Sequence, residues 1–437
     1  MLESILMVLR LLKRQCHIWL PGYLSRHYHH NGYKITEGKH LDVIFLLVDH
    51  FEPARKEGAL GVAKVRKWCE KYEIVAKQHT DSDGRMPQHT WFYRYDYPNF
   101  ECINILSEYS FKGLGEIEFH LHHGYDSPAS FAEKIQSGVK WFTKAGAMIS
   151  AEKEPQMRFA YIAGNWALDN GRRNAAFSGV NNELGILGRS GCYADFTFPA
   201  IGTNAQPRKV NAIYYAKDTP KPKSYNRGTD VEVMKNPCGD LMIFQGPVYV
   251  DWKRKYTETA ELESFSPYQP VRINYWMNAG IHVTGRPEWI FIKLHTHGMQ
   301  SSPVILDGQF DRLLSDLERY FKRPPFRLHY VTAREAYNIV KAAEAGKTGN
   351  PNKFRNFLIG EPLNRKIFCS QPYRLEEYSE NHVVIDIEPV LNKTTLNFKG
   401  RDLEGINGQE FGNVEIVHDS KVMKRLRINA DGAYKLL

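Results

Sequence analysis

Val43-Ile44-Phe45-Leu46-Leu47-Val48 is an unbroken apolar run that stops at Asp49-His50, with Pro53 just beyond. A strand that is apolar at every position has both faces covered, which is typical of parallel sheets wrapped by helices. The pattern recurs along the chain. Ile117-Glu118-Phe119 runs into His120-Leu121-His122-His123, and residues 159–163 run into Gly164-Asn165-Trp166. Cys192-Tyr193-Ala194 ends at Asp195, and residues 289–294 end at His295-Thr296-His297. Between these runs apolar residues take helical spacing, as in Val65, Trp68, Cys69, Tyr72 and Val75, or Phe131, Ile135, Val139 and Phe142. Thr332-Ala333-Arg334-Glu335 is a capping box that opens a further helix.

Strand, loop and helix in alternation predict βαβ units around a parallel sheet. The expected fold is α/β. A (β/α) barrel, seven-stranded and distorted in the form considered, occupies 41–348. An N-terminal helical segment covers 1–40, and a small β-rich domain covers 349–437. Three antiparallel strands, at 383–387, 396–398 and 414–417, are expected in that last domain. The stretch 205–272 reads as a loop insertion with one strand, at 241–244.

The chain has 437 residues and a net charge of +9. Its excess of cations fits an ordinary basic surface, an acidic lipid surface or an anionic glycan. Nucleic acid is not expected as a partner, because no compact basic-aromatic motif is present. Six scattered cysteines without a CxxC pair argue against a disulfide framework and suit a reducing compartment. The reading is therefore a cytoplasmic chain. Residues 1–20, with Arg10, Lys13, Arg14 and Trp19, offer a peripheral membrane contact as an amphipathic helix. The competing expectation is that this helix packs on the barrel.

In a (β/α) barrel the C-terminal strand ends converge on one face. That geometry would gather Asp49, His50, His120, His122, His123, Asp195, His295 and His297 over one cleft. Neutral imidazole and carboxylate are the common ligands of zinc and similar ions, so a divalent metal, zinc first, is the expected cofactor. Side chains alternate along a strand, so His120 and His122 share a face while the strand persists; a turn after Leu121 would pair His120 with His123 instead. Asn165 and Asp169 could bind sugar hydroxyls, Trp166 could offer an aromatic face, and His297 is a further substrate contact.

Residues 116–124, Glu-Ile-Glu-Phe-His-Leu-His-His-Gly, resemble the E-I-x-x-H-x-x-x-H segment of polysaccharide deacetylases. Ile292-Lys293-Leu294-His295 is similar to that family's L-x-L-H strand end. Residues 45–50 stand where the family has an apolar strand ending in F-D-D. The resemblance spans about 41–345. It departs from the family pattern at His50, which stands for the second Asp, and at Gly124, which stands for the second His. It implies Asp49 as general base, His50, His120 and His123 (or His122) as metal ligands, His295 as general acid, and Asp195 orienting His295. The implied activity is metal-dependent removal of acetyl groups from a polysaccharide or oligosaccharide. A glycosidase using Asp49 and Asp195, or a non-catalytic glycan-binding protein, are the alternatives.

Overall fold

The computed structural model describes residues 11–369 apart from 30–31, 34, 36–37, 39, 54–57, 151–155, 175 and 177–178. Beyond 369 it describes strands at 373–379, 382–387, 396–398, 410–418, 421–429 and 434–436. The chain is mixed α/β, built on an eleven-stranded, mostly parallel sheet. Eight strands of that sheet run parallel: β1 Leu41–Phe51, β2 His89–Arg94, β3 Gly115–Leu121, β4 Met157–Ala163, β5 Cys192–Asp195, β6 Leu241–Phe244, β7 Trp289–Thr296 and β8 Phe326–Tyr330. The ladder follows the order β7-β1-β2-β3-β4-β5-β6. On one side β1 pairs along its length with β7. On the other it pairs with β8 from Leu41 to Phe45 and with β2 from Leu47 to Phe51.

Alternation along these strands sorts their side chains into two layers. Val43, Phe45 and Leu47 of β1, Ile117 and Phe119 of β3, and Ile290 and Ile292 of β7 meet the helices, including Trp68 and Tyr72 of helix Gly58–Ala76. Ile44, Leu46 and Val48 of β1, Phe92 of β2, Ala160 and Ile162 of β4, Phe244 of β6 and Phe291 of β7 form a second, inner cluster. Each large apolar side chain buried in this way contributes about 1.5–3 kcal/mol. Within the inner layer Phe244 and Phe291 lie 5.5 Å apart, although β6 and β7 are at opposite ends of the ladder. The buried Lys293 of β7 donates to the carbonyls of Phe196 and Phe198, just past β5. The sheet therefore curls until its ends meet through side chains, and no ladder joins β6 to β7 among the described residues.

Two expectations from the sequence are corrected. The stretch 205–272 is not a plain insertion, because Ile213–Ala216 joins the main sheet antiparallel to β6. In the C-terminal five-stranded sheet the pairing of 382–386 with 413–417 is parallel, while the others are antiparallel. The capping box at Thr332 and Glu335 forms as expected. Residues 350–366 pack into the main unit. Arg355 there bonds Tyr330 O, Glu335 and Asp81, and Arg365 reaches Glu116. Of the N-terminal segment, helix Cys16–His29 is described and Arg10 lies outside the described residues. Trp19 and Tyr23 of that helix are buried against Val210, Val248 and Val250. No helix among the described residues is long and apolar enough to cross a membrane.

Candidate metal centre

β1 is extended through Phe51, and Pro53, which has no N–H to give a ladder, follows closely. The even-numbered residues of β1 face inward, so His50 points to the inner face and Glu52 follows it there. β3 delivers His120 and then His122 to the same face by the same alternation. His50, Glu52 and His120 each offer a ligand atom within 4.8 Å of the other two, a grouping that could hold a metal ion.

The hydrogen bonds at this cluster decide the state of its rings. His120 Nδ1 lies 2.9 Å from Ile162 O. A carbonyl only accepts, so the proton sits on Nδ1, and in the neutral ring Nε2 carries a lone pair. That lone pair faces Glu52 Oε1 at 3.2 Å, another acceptor. Burial pushes His120 toward its neutral form, helped by the neighbouring His122, and Glu52 only partly offsets this. Burial also opposes ionisation of Glu52, but the bond and charge of His120 and the charges of His122 and His297 outweigh it and hold the carboxyl at about 2. Both nitrogens of His120 thus face oxygen acceptors: a protonated ring bridges Ile162 O and Glu52, and in the neutral ring that burial favours, Nε2 and the Glu52 carboxylate offer a cation two donor atoms. A ring N–H tied to a carbonyl is also how metal-binding histidines are usually oriented.

The neighbours fit the same reading. His122 Nδ1 is 3.1 Å from Asp96 Oδ1, and its Nε2 is 3.6 Å from Glu52 Oε1. Arg94 braces both acids, bonding Glu52 at 3.2 Å and also Asp96. His50 Nε2 is buried with no hydrogen-bond partner. Burial, then the charges of His297, His120, His295 and Lys293, keep that ring well on the neutral side, the form that binds metal. His297 lies over His50, with ring centroids 4.5 Å apart. Its Nδ1 is 2.7 Å from Glu263 Oε1, and although burial disfavours its charge, the bond and charge of Glu263 raise this ring above the ordinary 6.5. Trp166 closes this side, 6.4 Å from His50 and 6.0 Å from His297 between centroids.

Several expected members stand elsewhere. Asp49 points to the helix-covered face. There it accepts from His89 Nε2 at 2.8 Å and from the Gly298 N–H at 2.6 Å, so it is not placed beside His50 as a base. His123 turns away after β3 ends. It sits between Asp126 (3.1 Å) and Glu183 (3.3 Å) and stacks on Phe131, so it is no ligand in this cluster. Asp195 gives both oxygens to Thr197, and burial pushes its carboxyl up to about 7. It makes no bond to His295, whose Nδ1 is buried without a partner. His295 itself does reach the cluster: it is buried on the inner face with its ring centroid 6.2 Å from that of His50, and burial holds it far on the neutral side. Of the carboxylates Asp49 and Asp195, Asp49 bonds His89 and Gly298, and Asp195 bonds Thr197. Asp169 is buried under the loop that leaves β4, accepting from Ser224 N at 2.6 Å. Asn165 lies beside Trp166 with φ 55°, in left-handed backbone.

Glu52, Asp96 and Glu263 were not singled out in the sequence. Glu52 had a signal, two residues beyond His50 and hence on its face. Asp96 and Glu263 reach the cluster from other loops and leave no local trace.

A second trio, Asp81, Asp83 and His329, is also compact. There both ring nitrogens of His329 face carboxylates, Asp42 at 2.7 Å and Asp83 at 2.9 Å. Both must carry protons, so that ring is an imidazolium with no lone pair for a metal. No protein-family model matches this chain, and no curated protein matches it.

Proposed function

We propose that the chain is a zinc-dependent hydrolase that removes acetyl groups from a saccharide, on a distorted (β/α) barrel. The observation that carries the reading is the convergence of His50, Glu52 and His120, whose ligand atoms lie within 4.8 Å of one another in a buried cluster, with His50 Nε2 left without a hydrogen-bond partner. His50, Glu52 and His120 would hold the ion, with His122 adjoining. Two nitrogens and one oxygen are a donor set that suits zinc. The curl of the sheet and the shared inner layer support the barrel.

When bound, such an ion supplies Lewis acidity toward a carbonyl and makes a water molecule more acidic. The protein's own groups supply the rest. His297 in its neutral form, with Glu263 behind Nδ1, presents Nε2 to take a proton from the attacking water. The imidazolium so formed stays paired with Glu263 and returns its proton to the departing sugar oxygen or nitrogen as the acyl bond breaks. Acetate and a free hydroxyl or amine result. Trp166 offers a flat apolar face for a pyranose ring beside the reacting group.

The test is metal analysis of the purified protein alongside acetate release from acetylated oligosaccharides. One zinc per chain, lost in His120→Ala together with acetate release, is the expected result. His297→Ala should keep the metal and lose turnover. Full acetate release after chelation, or sugar binding by a chain that takes up no metal, would overturn the reading.

A further inference from the structure

We propose that Phe265 is a platform for the sugar unit next to the one that carries the acetyl group, so that the site prefers acetyl groups within a sugar chain to those on a single sugar. This rests on the reading of the cluster as a site that acts on a saccharide. The segment 260–266 runs beside the end of β7. The His295 N–H donates to Ala260 O at 3.0 Å, and the Leu262 N–H donates to His295 O at 2.8 Å. Glu263 then accepts from the backbone N–H of His297 at 2.7 Å and meets its Nδ1 at 2.7 Å. Its other oxygen accepts from the Ser301 hydroxyl. Glu263 and Ser266 bond each other's backbone, at 3.3 and 3.0 Å, and close a tight turn with Ser264 and Phe265 at its tip.

Past the turn the chain is pinned again. The buried Arg272 donates to Ser266 O at 2.9 Å and to Pro267 O at 3.0 Å, and Glu258 holds its fork at 2.7 and 2.8 Å. Both ends of the turn are thus tied to buried side chains. Phe265, between them, is 77% exposed. It stands two residues from Glu263, hence within about 7 Å of backbone. Trp166 reaches the same His297 from the loop leaving β4, with ring centroids 6.0 Å apart. Two separate segments therefore each bring an aromatic residue to the surroundings of His297. Ser264, also exposed, adds a hydroxyl beside Phe265.

The plain alternative is an apolar side chain left in water by chance, which is common on protein surfaces. Leu60 and Ile74, exposed on helix Gly58–Ala76, are of that kind. Met234 is another, and its N–H donates to the O of Glu344, the last residue of helix Ala333–Glu344. Phe265 differs because its turn is bonded to the histidine that the proposed reaction uses. A saccharide held at the cluster has a neighbouring unit only if it is a chain, and the apolar face of a pyranose ring matches a phenyl ring. A turn fixed before binding loses little freedom on binding, so its contact area counts toward affinity. A bilayer fits less well. Membrane binding scales with the apolar area buried, and one ring between Ser264 and Ser266 offers little.

The experiment compares wild type, Phe265→Ala and Phe265→Tyr. Acetate release is followed from chitohexaose and N-acetylglucosamine, and from acetylated xylohexaose and acetylated xylose. Binding of the acetyl-free hexasaccharides is measured by calorimetry. The wild type should show the lower KM for a hexasaccharide. Phe265→Ala should raise that KM about tenfold, the scale of a lost aromatic contact, with kcat, metal content and the KM for the monosaccharide unchanged. Phe265→Tyr, which keeps a ring, should match the wild type. A hexasaccharide-to-monosaccharide KM ratio that is the same in Phe265→Ala as in the wild type would overturn the proposal. So would loss of the metal in that variant, or loss of binding to phosphatidylcholine vesicles with the KM ratio intact. If a hexasaccharide binds, and binds more weakly in Phe265→Ala, but no saccharide releases acetate, the platform stands and the reaction assigned to the cluster fails. If no hexasaccharide binds or reacts, both fail.

Discussion

Asp49 accepts a hydrogen bond from His89 Nε2 at 2.8 Å on the face of β1 opposite to His50. Its other oxygen caps the Gly298 N–H at 2.6 Å. The carboxylate is fully buried and ties β2 and the loop after β7 to β1. Asp49→Ala should therefore destabilise the fold by about 2–4 kcal/mol, because it strands two buried donors. Urea unfolding with parallel metal analysis checks this. Normal stability with lost turnover would instead place Asp49 in the chemistry.

Asp96 orients His122 through Nδ1 and accepts from its backbone N–H, both at 3.1 Å. Removing such an outer partner loosens a metal by about 10–100-fold. Asp96→Asn should show this in chelator competition. An unchanged affinity would take His122 out of the ion's surroundings.

Trp166 borders both His50 and His297 but ligates nothing. Trp166→Ala should keep the full metal content and raise KM for the saccharide by up to about tenfold, the scale of a lost aromatic contact. Loss of the metal in this variant would mean that the ring shapes the cluster and does not carry substrate.

His329 gives a pH signature distant from that cluster. Burial disfavours its charge, but the bonds and charges of Asp42 and Asp83 outweigh burial and raise it above the ordinary 6.5. Its contribution is complete below 6.5 and is lost as pH rises through the raised value. Asp83 works in reverse. Burial opposes its ionisation, but His329 and Asn350 lower it beneath 3.8, so its share is lost as pH falls through the lowered value. The melting temperature of the wild type should thus decline on the alkaline side more steeply than that of His329→Gln. Parallel curves would contradict the imidazolium.

Much of the fold was legible because apolar runs and helical spacing are local. β1, β3 and β7 end two or three residues after Val48, Phe119 and Leu294 give way to polar residues. The strand at Ile213–Ala216 was missed because four residues are too few to show alternation, and helix Phe100–Phe111 because its polar and apolar residues mix without a clean stripe. At the cluster the period of two was the usable rule. It puts His120 with His122, and read on β1 it admits His50 and Glu52 while excluding Asp49. His123 could not be placed by it, since the chain leaves the strand after Leu121. Glu263 comes from within 205–272, where nothing in the sequence ties it to His297.

The bonds from Arg355 and Arg365 back into the main unit bear on anyone shortening the chain. A cut at 348, where the change in rhythm invites one, would delete both guanidiniums, take the Arg355 counter-charge from Asp81 and Glu335 in the interior, and leave Glu116 with Arg334 alone. A fragment meant to stand without the C-terminal strands should retain the chain through Lys366, the last residue of helix Leu363–Lys366.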